Sequence, residues 1–512
     1  MPHNLLSQFF KNAFRNAALQ NTDTAALLQQ RQNSRRKFLK EAAVLSGGIA
    51  LFPSLLNAGN FFDKKNIVIV GAGIAGLNAA YQLKKLGLTS TVYEASGRTG
   101  GRMFTLKNYF GNNLTTDLGG EFVDANHEDI LQLVKELKLE CYDLRTDKLG
   151  KEVLYFNGQT YSEKDLAAVL HPYVAQLAKD IISLPVEMNY KNAVQIELLD
   201  NQSIKEYLNA IGINGWLYNY LDVMLSREYG MEIEEQSALN FLIMLDKTGD
   251  FYGEHEIYKI KGGSQHLTDA IYALVKDGVK LQHELLAIKE QNNQYHLNFK
   301  NNNSNLSIKA DYVILALPYS VLRNIKMELP MPEGKRKCIE EFGYGNSSKF
   351  IMGMKNKPWR ADNKQGYTFT DELFGCGWDS THMQPDEQAS FTVFGGGKSA
   401  DIIFESSQEK LVQNFIPGIN KIFTGADKIV ADKQIKICWA KQPFAKAGYT
   451  SFKKGQYGTI AGWEAEPIGN IFFAGEHVSV QFQGFMNGAA ATGKKAAEQI
   501  AEKILINKKE KK

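Results

Sequence analysis

The run Asn66-Ile67-Val68-Ile69-Val70 is short, apolar and β-branched after its first residue, the pattern of a parallel strand buried on both faces. Gly71-Ala72-Gly73-Ile74-Ala75-Gly76 follows without a gap. Beyond it the chain predicts a helix from about Ala75 to Leu86, stopped by Gly87. A second strand, Thr91-Val92-Tyr93, ends in Glu94. Helical spacing returns at Ile130, Leu133, Val134 and Leu137. Leu285 to Ile288 reads as a short strand, and Tyr312-Val313-Ile314-Leu315-Ala316-Leu317-Pro318 as a buried strand ending at a turn. A final strand, Ile471-Phe472-Phe473-Ala474, delivers Gly475-Glu476, and a helix begins near Asn487.

With 512 residues the chain is comfortable for two domains, and its 44% apolar and 22% charged residues are those of a globular protein. The net charge of +3 is unevenly placed. Residues 1–58 carry Lys11, Arg15, Arg31, Arg35, Arg36, Lys37 and Lys40 against Asp23 and Glu41, a surplus of +5, so the remainder is −2. That balance speaks against nucleic acid, whose phosphates need a basic face. Cys141, Cys338, Cys376 and Cys438 are scattered without metal-ligand spacing, and buried free thiols are expected.

Ser34-Arg35-Arg36-Lys37-Phe38-Leu39-Lys40 precedes an apolar stretch from Ala42 to Leu56. The pattern is that of a twin-arginine export signal, which implies the export machinery as a partner and a periplasmic or exported location. Gly47, Gly48 and Pro53 interrupt the stretch too much for a comfortable membrane span. The region before the arginines is long, and cleavage after Ala58 would put bulky Leu56 where a small residue belongs. The competing reading is an amphipathic N-terminal helix with a basic end.

The glycine loop has a strand before it, a helix after it and an acid at the distance a dinucleotide site requires. Gly71 makes the turn, Gly73 lets a pyrophosphate approach, and Gly76 lets helix and strand pack. Ile74 and Ala75 open the helix whose N–H groups and dipole face the phosphates. Glu94, followed by Ala95, is the acceptor for ribose hydroxyls. Arg98-Thr99-Gly100-Gly101-Arg102 comes next, then Asp117-Leu118-Gly119-Gly120-Glu121. Paired glycines allow close approach, and Arg98 and Arg102 can meet the pyrophosphate.

In this position Arg98 to Arg102 resembles the GRxGGR element of the flavin-containing amine oxidase superfamily, which includes monoamine, polyamine and L-amino acid oxidases. The resemblance runs from about Asn66 to Ala501 and takes in Ile260-Lys261-Gly262-Gly263, Leu285, and the segment from Gly475-Glu476 through Phe485-Met486 to Gly493. It implies a Rossmann-like FAD-binding α/β domain (62–125, 256–319 and 436–505) with an inserted mixed α+β substrate domain (126–255 and 320–435), after a signal region at 1–58. Glu476 would bond the ribityl-pyrophosphate region, and the last helix would face the flavin N1–C2=O2 locus.

Further roles follow from the same resemblance. Lys349, in Gly343 to Phe350, corresponds to the lysine that bonds flavin N5 through a water. Trp439 and Pro443 to Tyr449 look like the flavin-edge segment. Tyr449 and Phe485 would sandwich the amine. Gly448 stands where monoamine oxidases carry the cysteine that bonds the flavin, so non-covalent FAD is expected. The implied reaction moves a hydride from the amine α-carbon to flavin N5. The imine hydrolyses, and O2 or another acceptor reoxidises the flavin, with hydrogen peroxide formed from O2. Phe104 replaces the arginine that L-amino acid oxidases use for the substrate carboxylate, which favours an amine over an amino acid, although Arg227 could take that role. A protoporphyrinogen oxidase- or desaturase-like dehydrogenase and a non-catalytic exported flavoprotein are the rivals. A homodimer is compatible with the sequence.

Overall fold

The computed structural model describes residues 5–20, 22–46, 65–147, 151–246, 257–292, 294–301, 304–361 and 363–509. Its first strand is Ile67–Val70, buried throughout, and the helix that follows is Ile74–Lys85, ended by Leu86 and the left-handed Gly87. The strand belongs to a five-stranded sheet with the order Val279–Lys280, Thr91–Tyr93, Ile67–Val70, Tyr312–Leu315, Ile471–Phe473. Every pairing in it is parallel. Ile67–Val70 is therefore central, with neighbours arriving from both sides, and a crevice opens at the carboxyl ends of the strands where the order reverses. The last helix, Met486–Lys509, packs on Ile74–Lys85.

A second, seven-stranded sheet supplies the opposite wall. Its order is Val430–Cys438, Ser347–Met354, Ala389–Gly396, Cys376–Asp379, Lys364–Thr370, Lys151–Phe156, Gln159–Tyr161. Ser347–Met354 is buried at every position because it is paired antiparallel on both edges, with Lys349 opposite Phe394 and Ile437. Helices between Glu163 and Asp246 cover this unit. A small three-stranded sheet, Phe122–Val123, Tyr258–Ile260, Cys141–Asp143, joins three separate segments of the chain. The result is an α/β architecture with a mixed α+β insertion. All four cysteines are free; Cys141, expected to be buried, is half-buried, and its thiol is pushed up to about 11 by desolvation.

The N-terminal region is folded against this body. Leu5–Leu19 and Thr22–Ser46 are helices. Phe10, Ala13, Phe14 and Ala17 recur at helical spacing and are buried, with the Phe10 ring 6.1 Å from Tyr220 and 6.0 Å from Phe241. Arg31 pairs with Asp246 at 3.0 Å and donates to the carbonyls of Leu184 and Pro185 at 2.5 and 2.9 Å. The long stretch before the arginine pair is thus a docked helical hairpin, and Ser34 to Lys40 lies on its second helix. Residues 47–58, with the expected cleavage point, fall outside the described residues. Among the described residues no helix is long and apolar enough to cross a membrane.

The Arg31–Asp246 side chains are 9% and 1% exposed, so removing one partner strands a buried charge. Arg31→Ala should cost about 3 kcal/mol of docking free energy. Limited trypsin digestion should then remove residues 5–46 well before it cuts the rest. Equal protection in variant and parent would show that docking does not depend on this pair.

Candidate active site

A cavity of about 670 Å³ lies along the crevice of the parallel sheet and reaches the seven-stranded sheet. That volume is within the usual range for ligand sites, about 300–1,000 Å³. Of the residues assigned above to the cofactor or the amine, all but Gly76 line it. Gly76 does its work one layer behind: a Cβ there would sit 1.9 Å from the Gly71 carbonyl oxygen, so glycine alone lets helix and strand close. Gly71 has φ +102° and a Cβ there would meet Ala316 O at 2.6 Å.

At the phosphate end the helix Ile74–Lys85 starts at Gly73 with no side chain capping its first turn. Its N-terminal N–H groups and positive dipole end are left for an anion. Glu94 is braced from behind: Ala72 N–H donates to Oε2 at 2.7 Å, and Ser96 N–H and Oγ–H donate to Oε1 at 2.9 and 2.7 Å. Oε2, with a single donor, keeps acceptor capacity for a ligand. Arg98 donates to the carbonyls of Thr99 and Gly101, and its guanidinium lies 4.2 Å over the Phe104 ring. Phe104 therefore serves as the platform for Arg98.

The far end is closed by residues distant in sequence. Arg102 donates to Glu476 Oε1 at 2.9 Å and to the Gly448 carbonyl at 2.6 Å. Thr450 Oγ–H and Gly484 N–H donate to Glu476 Oε2, each at 2.8 Å. Burial alone would raise the Glu476 pKa, but the Arg102 charge and these hydrogen bonds hold it below the usual carboxylate range. Trp439 is anchored by its indole N–H on Leu118 O at 3.0 Å. Leu285 lines the cavity from the strand His283–Gln291, which pairs antiparallel with Gln294–Asn301, at the start of a bulge.

Lys349 Nζ donates to Asp117 O at 2.8 Å, Gly119 O at 2.9 Å and Glu121 Oε2 at 2.9 Å. Tyr449 donates its hydroxyl to Arg227 O at 2.6 Å, which leaves its ring as the part offered to the cavity. Phe485 is held by an edge contact with His127, 5.1 Å between centroids, and His127 Nδ1 accepts the Asp124 N–H at 3.0 Å. Trp378 and Phe394 add two more aromatic walls. The Arg227 side chain is not among the lining residues; its guanidinium packs against Gly375 and donates to Val223 O.

Three features went unnoticed in the sequence: the Lys259 partner of Glu121, the His127 support of Phe485 and the unbonded His477. Period-two alternation in Tyr258-Lys259-Ile260 puts the lysine on the face opposite its two apolar neighbours, ordinarily the solvent face, so the strand pattern hides its burial. Nothing in the linear pattern signals the other two either. His477 is fully buried, lines the cavity, and neither ring nitrogen has a hydrogen-bond partner among the described residues. A buried polar ring aimed at a cavity with an anion-ready helix and two arginines fits a large, partly anionic cofactor.

The model of the family described as flavin containing amine oxidoreductase matches residues 74–501. The protein named "Putative L-amino-acid oxidase YobN" of Bacillus subtilis (strain 168) is 24% identical over 464 residues, 85% of this chain and 94% of that one. The flavin-containing amine oxidase B of Cavia porcellus is 26% identical over 466 residues, 86% and 87% of the two chains. The solved structure of cyclohexylamine oxidase from Brevibacterium oxydans IH-35A superimposes with a TM-score of 0.77 at 21% identity, covering 86% of this chain and all of that one. Putrescine oxidase bound to putrescine gives 0.70 at 22% identity, covering 86% and 99%.

Burial, partly offset by Glu476, pushes the His477 pKa down to about 3. The unfolded chain, with an ordinary histidine near 6.5, binds the proton first as pH falls. Stability from a neutral His477 is therefore full above pH 6.5 and is lost between 6.5 and about 3. In cofactor-free protein at pH 5 that loss is about 2 kcal/mol. His477→Gln should show a correspondingly smaller acid shift in its denaturation midpoint; an identical shift would refute the neutral-histidine reading.

Proposed function

Because the chain belongs to the flavin-containing amine oxidoreductase family, as the match over residues 74–501 shows, we propose that it oxidises a primary or secondary amine using non-covalently held FAD. When bound, FAD supplies the acceptor for the hydride that leaves the amine α-carbon. The observation that carries this reading is the meeting of Tyr449, Phe485 and Lys349 in one cavity with the dinucleotide loop. Arg98, Arg102, Glu94, Glu476 and the first turn of Ile74–Lys85 would hold the cofactor. The N-terminus of Met486–Lys509, also at the cavity, would favour negative charge on it.

The chain's own part is binding, orientation and drying. Tyr449 and Phe485, with Trp378 and Phe394 also lining the cavity, offer ring faces that take up a neutral amine and exclude water from it. Lys349 has its three Nζ hydrogens engaged by Asp117 O, Gly119 O and Glu121, so its part beside FAD would be that of a positioned ammonium rather than the donor to a water that the resemblance implies. The imine released is hydrolysed by water, and turnover with O2 yields hydrogen peroxide. Gly448 supports non-covalent attachment: a Cβ there would come 2.3 Å from Ser347 Oγ and 3.0 Å from Ser347 Cβ, leaving no room for a cysteine linkage.

An L-amino acid is the second reading, raised by the name of the B. subtilis relative. Its carboxylate would need a cation in the cavity in front of the aromatic pair. Phe104 carries none, and Arg227 would have to swing away from Gly375 to supply one. The same preparation tests cofactor and substrate. Acid precipitation should release all the yellow colour into the supernatant, and aerobic mixing should give peroxide with amines and at least tenfold less with L-amino acids, as expected when a site lacks one charge-assisted contact, ~1.5–3 kcal/mol. Flavin retained in the pellet would reject non-covalent binding, and peroxide from amino acids alone would reverse the substrate order.

We also read Ser34 to Lys40 as a twin-arginine export signal carried on a docked hairpin. A folded, cofactor-loaded body suits a pathway that moves folded proteins. Cell fractionation should find the parent in the periplasm and an Arg35→Lys/Arg36→Lys double variant in the cytoplasm; the same distribution for both would remove the export reading.

A further inference from the structure

One carboxylate is shared by two buried lysines beside the cavity. Glu121 Oε2 accepts from Lys349 at 2.9 Å, and Glu121 Oε1 accepts from Lys259 at 2.7 Å. The Trp378 indole N–H adds a third donor to Oε2 at 3.2 Å. Lys259 also donates to Ser380 O at 2.6 Å and stands 5.4 Å from the Phe122 ring centroid. The side chains of Lys259, Glu121 and Lys349 are 6%, 2% and 6% exposed.

A neutral Lys349–Glu121 pair would need no second lysine. Burying another ammonium is expensive, several kcal/mol per ion before compensation. Lys259 is nonetheless built in rigidly. It sits in the central strand of the three-stranded sheet, directly across from Phe122, the residue after Glu121. The trio carries two positive charges and one negative. Asp117, whose carbonyl Lys349 also uses, accepts through its own carboxylate from Ser264 N–H, Ser264 Oγ–H and Thr105 Oγ–H, and burial followed by the repulsion of Glu121 raises its pKa.

All three hydrogens of a charged Lys349 are taken, by Asp117 O, Gly119 O and Glu121. Two of these acceptors are backbone carbonyls, and the third, the Glu121 carboxylate, is the side-chain partner whose position depends on how it is itself held. We propose that Lys259 is a positioning residue for the redox site: through Glu121 it fixes Lys349 Nζ and leaves the trio one positive charge in excess beside the cofactor. This rests on the reading of Lys349 as the flavin-side amine. A fixed positive charge in a dry site favours the electron-rich form of whatever it faces.

The test uses the FAD-loaded full chain and four variants: Lys259→Met, Lys259→Arg, Lys349→Met and the Lys259→Met/Lys349→Met pair. Two quantities are read, the flavin midpoint potential and the stopped-flow rate constant for O2 with the reduced protein. Lys259→Met should move the potential to a more negative value and slow the oxygen reaction about tenfold. Lys259→Arg, which keeps charge and donors, should return both toward the parent. On the Lys349→Met background, Lys259→Met should slow oxygen by much less than tenfold, because only the charge of Lys259 and not its positioning of Lys349 is then lost. An unchanged potential in Lys259→Met, or a loss that multiplies in full with that of Lys349→Met, overturns the proposal. If Lys349→Met alone reacts with oxygen at the parent rate, the reading of Lys349 fails, and the Lys259 charge is then judged by the potential alone. Should Lys259→Met not fold, Lys259→Gln carries the same comparison.

Discussion

Arg102 and Glu476 stand 374 residues apart in sequence and meet at 2.9 Å. Around that pair the cavity closes. Arg102 belongs to the segment that follows the second strand, and Glu476 to the turn between the last strand and the last helix. Arg102 also takes the carbonyl of Gly448, next to Tyr449, so one guanidinium ties the cofactor end, the closing turn and the aromatic wall. A carboxylate as buried as Glu476 is costly to take from water and is stabilised only by its half-buried partner Arg102, good geometry and further hydrogen bonds. Thr450 and Gly484 supply those bonds to the second carboxylate oxygen. A chain that failed to bring its two ends together would leave an unpaired charge in a dry crevice.

The same economy governs the other side of the cavity. Lys349 lies in the middle of a strand buried at all eight positions, where an unpaired ammonium would be untenable. Its three acceptors, and the second lysine on Glu121, turn a liability into a fixed electrostatic feature. Tyr449 and Phe485 are likewise held by partners outside the cavity, the Arg227 carbonyl and the His127 ring. The walls are preorganised by groups that never touch the space they define, which is how a site that relies on a cofactor for its chemistry controls orientation and water.

The N-terminal segment joins two demands that look incompatible. Its first helix is amphipathic and packs Phe10 and Phe14 into the same apolar cluster as Tyr449 and Trp378. Its second carries the arginine pair past the anchoring Arg31–Asp246 bridge. On the export reading proposed above, a segment that served only as a signal would have no reason to bury aromatic residues in the body it precedes. Read as a docked hairpin, the unusual length before the arginines has a physical purpose.

Much of the cofactor half was legible in the linear chain because its determinants are local. The strand Ile67–Val70, the turn at Gly71, the helix from Ile74 and the strand ending at Glu94 depend on β-branching, backbone freedom and spacing within about thirty residues. The final Ile471–Phe473 strand and the helix beyond Gly484 are local in the same sense. Tertiary structure alone decided what Phe104, Arg227, His127 and Lys259 do. Phe104 became a platform for Arg98, and Arg227 turned from the cavity to Gly375. His127 came to brace Phe485, and Lys259 to share Glu121 with a lysine ninety residues away. Each of these is a contact between side chains on separate elements. Their energies depend on desolvation and on distances of a few ångströms, quantities that residue order does not contain until the sheets have packed.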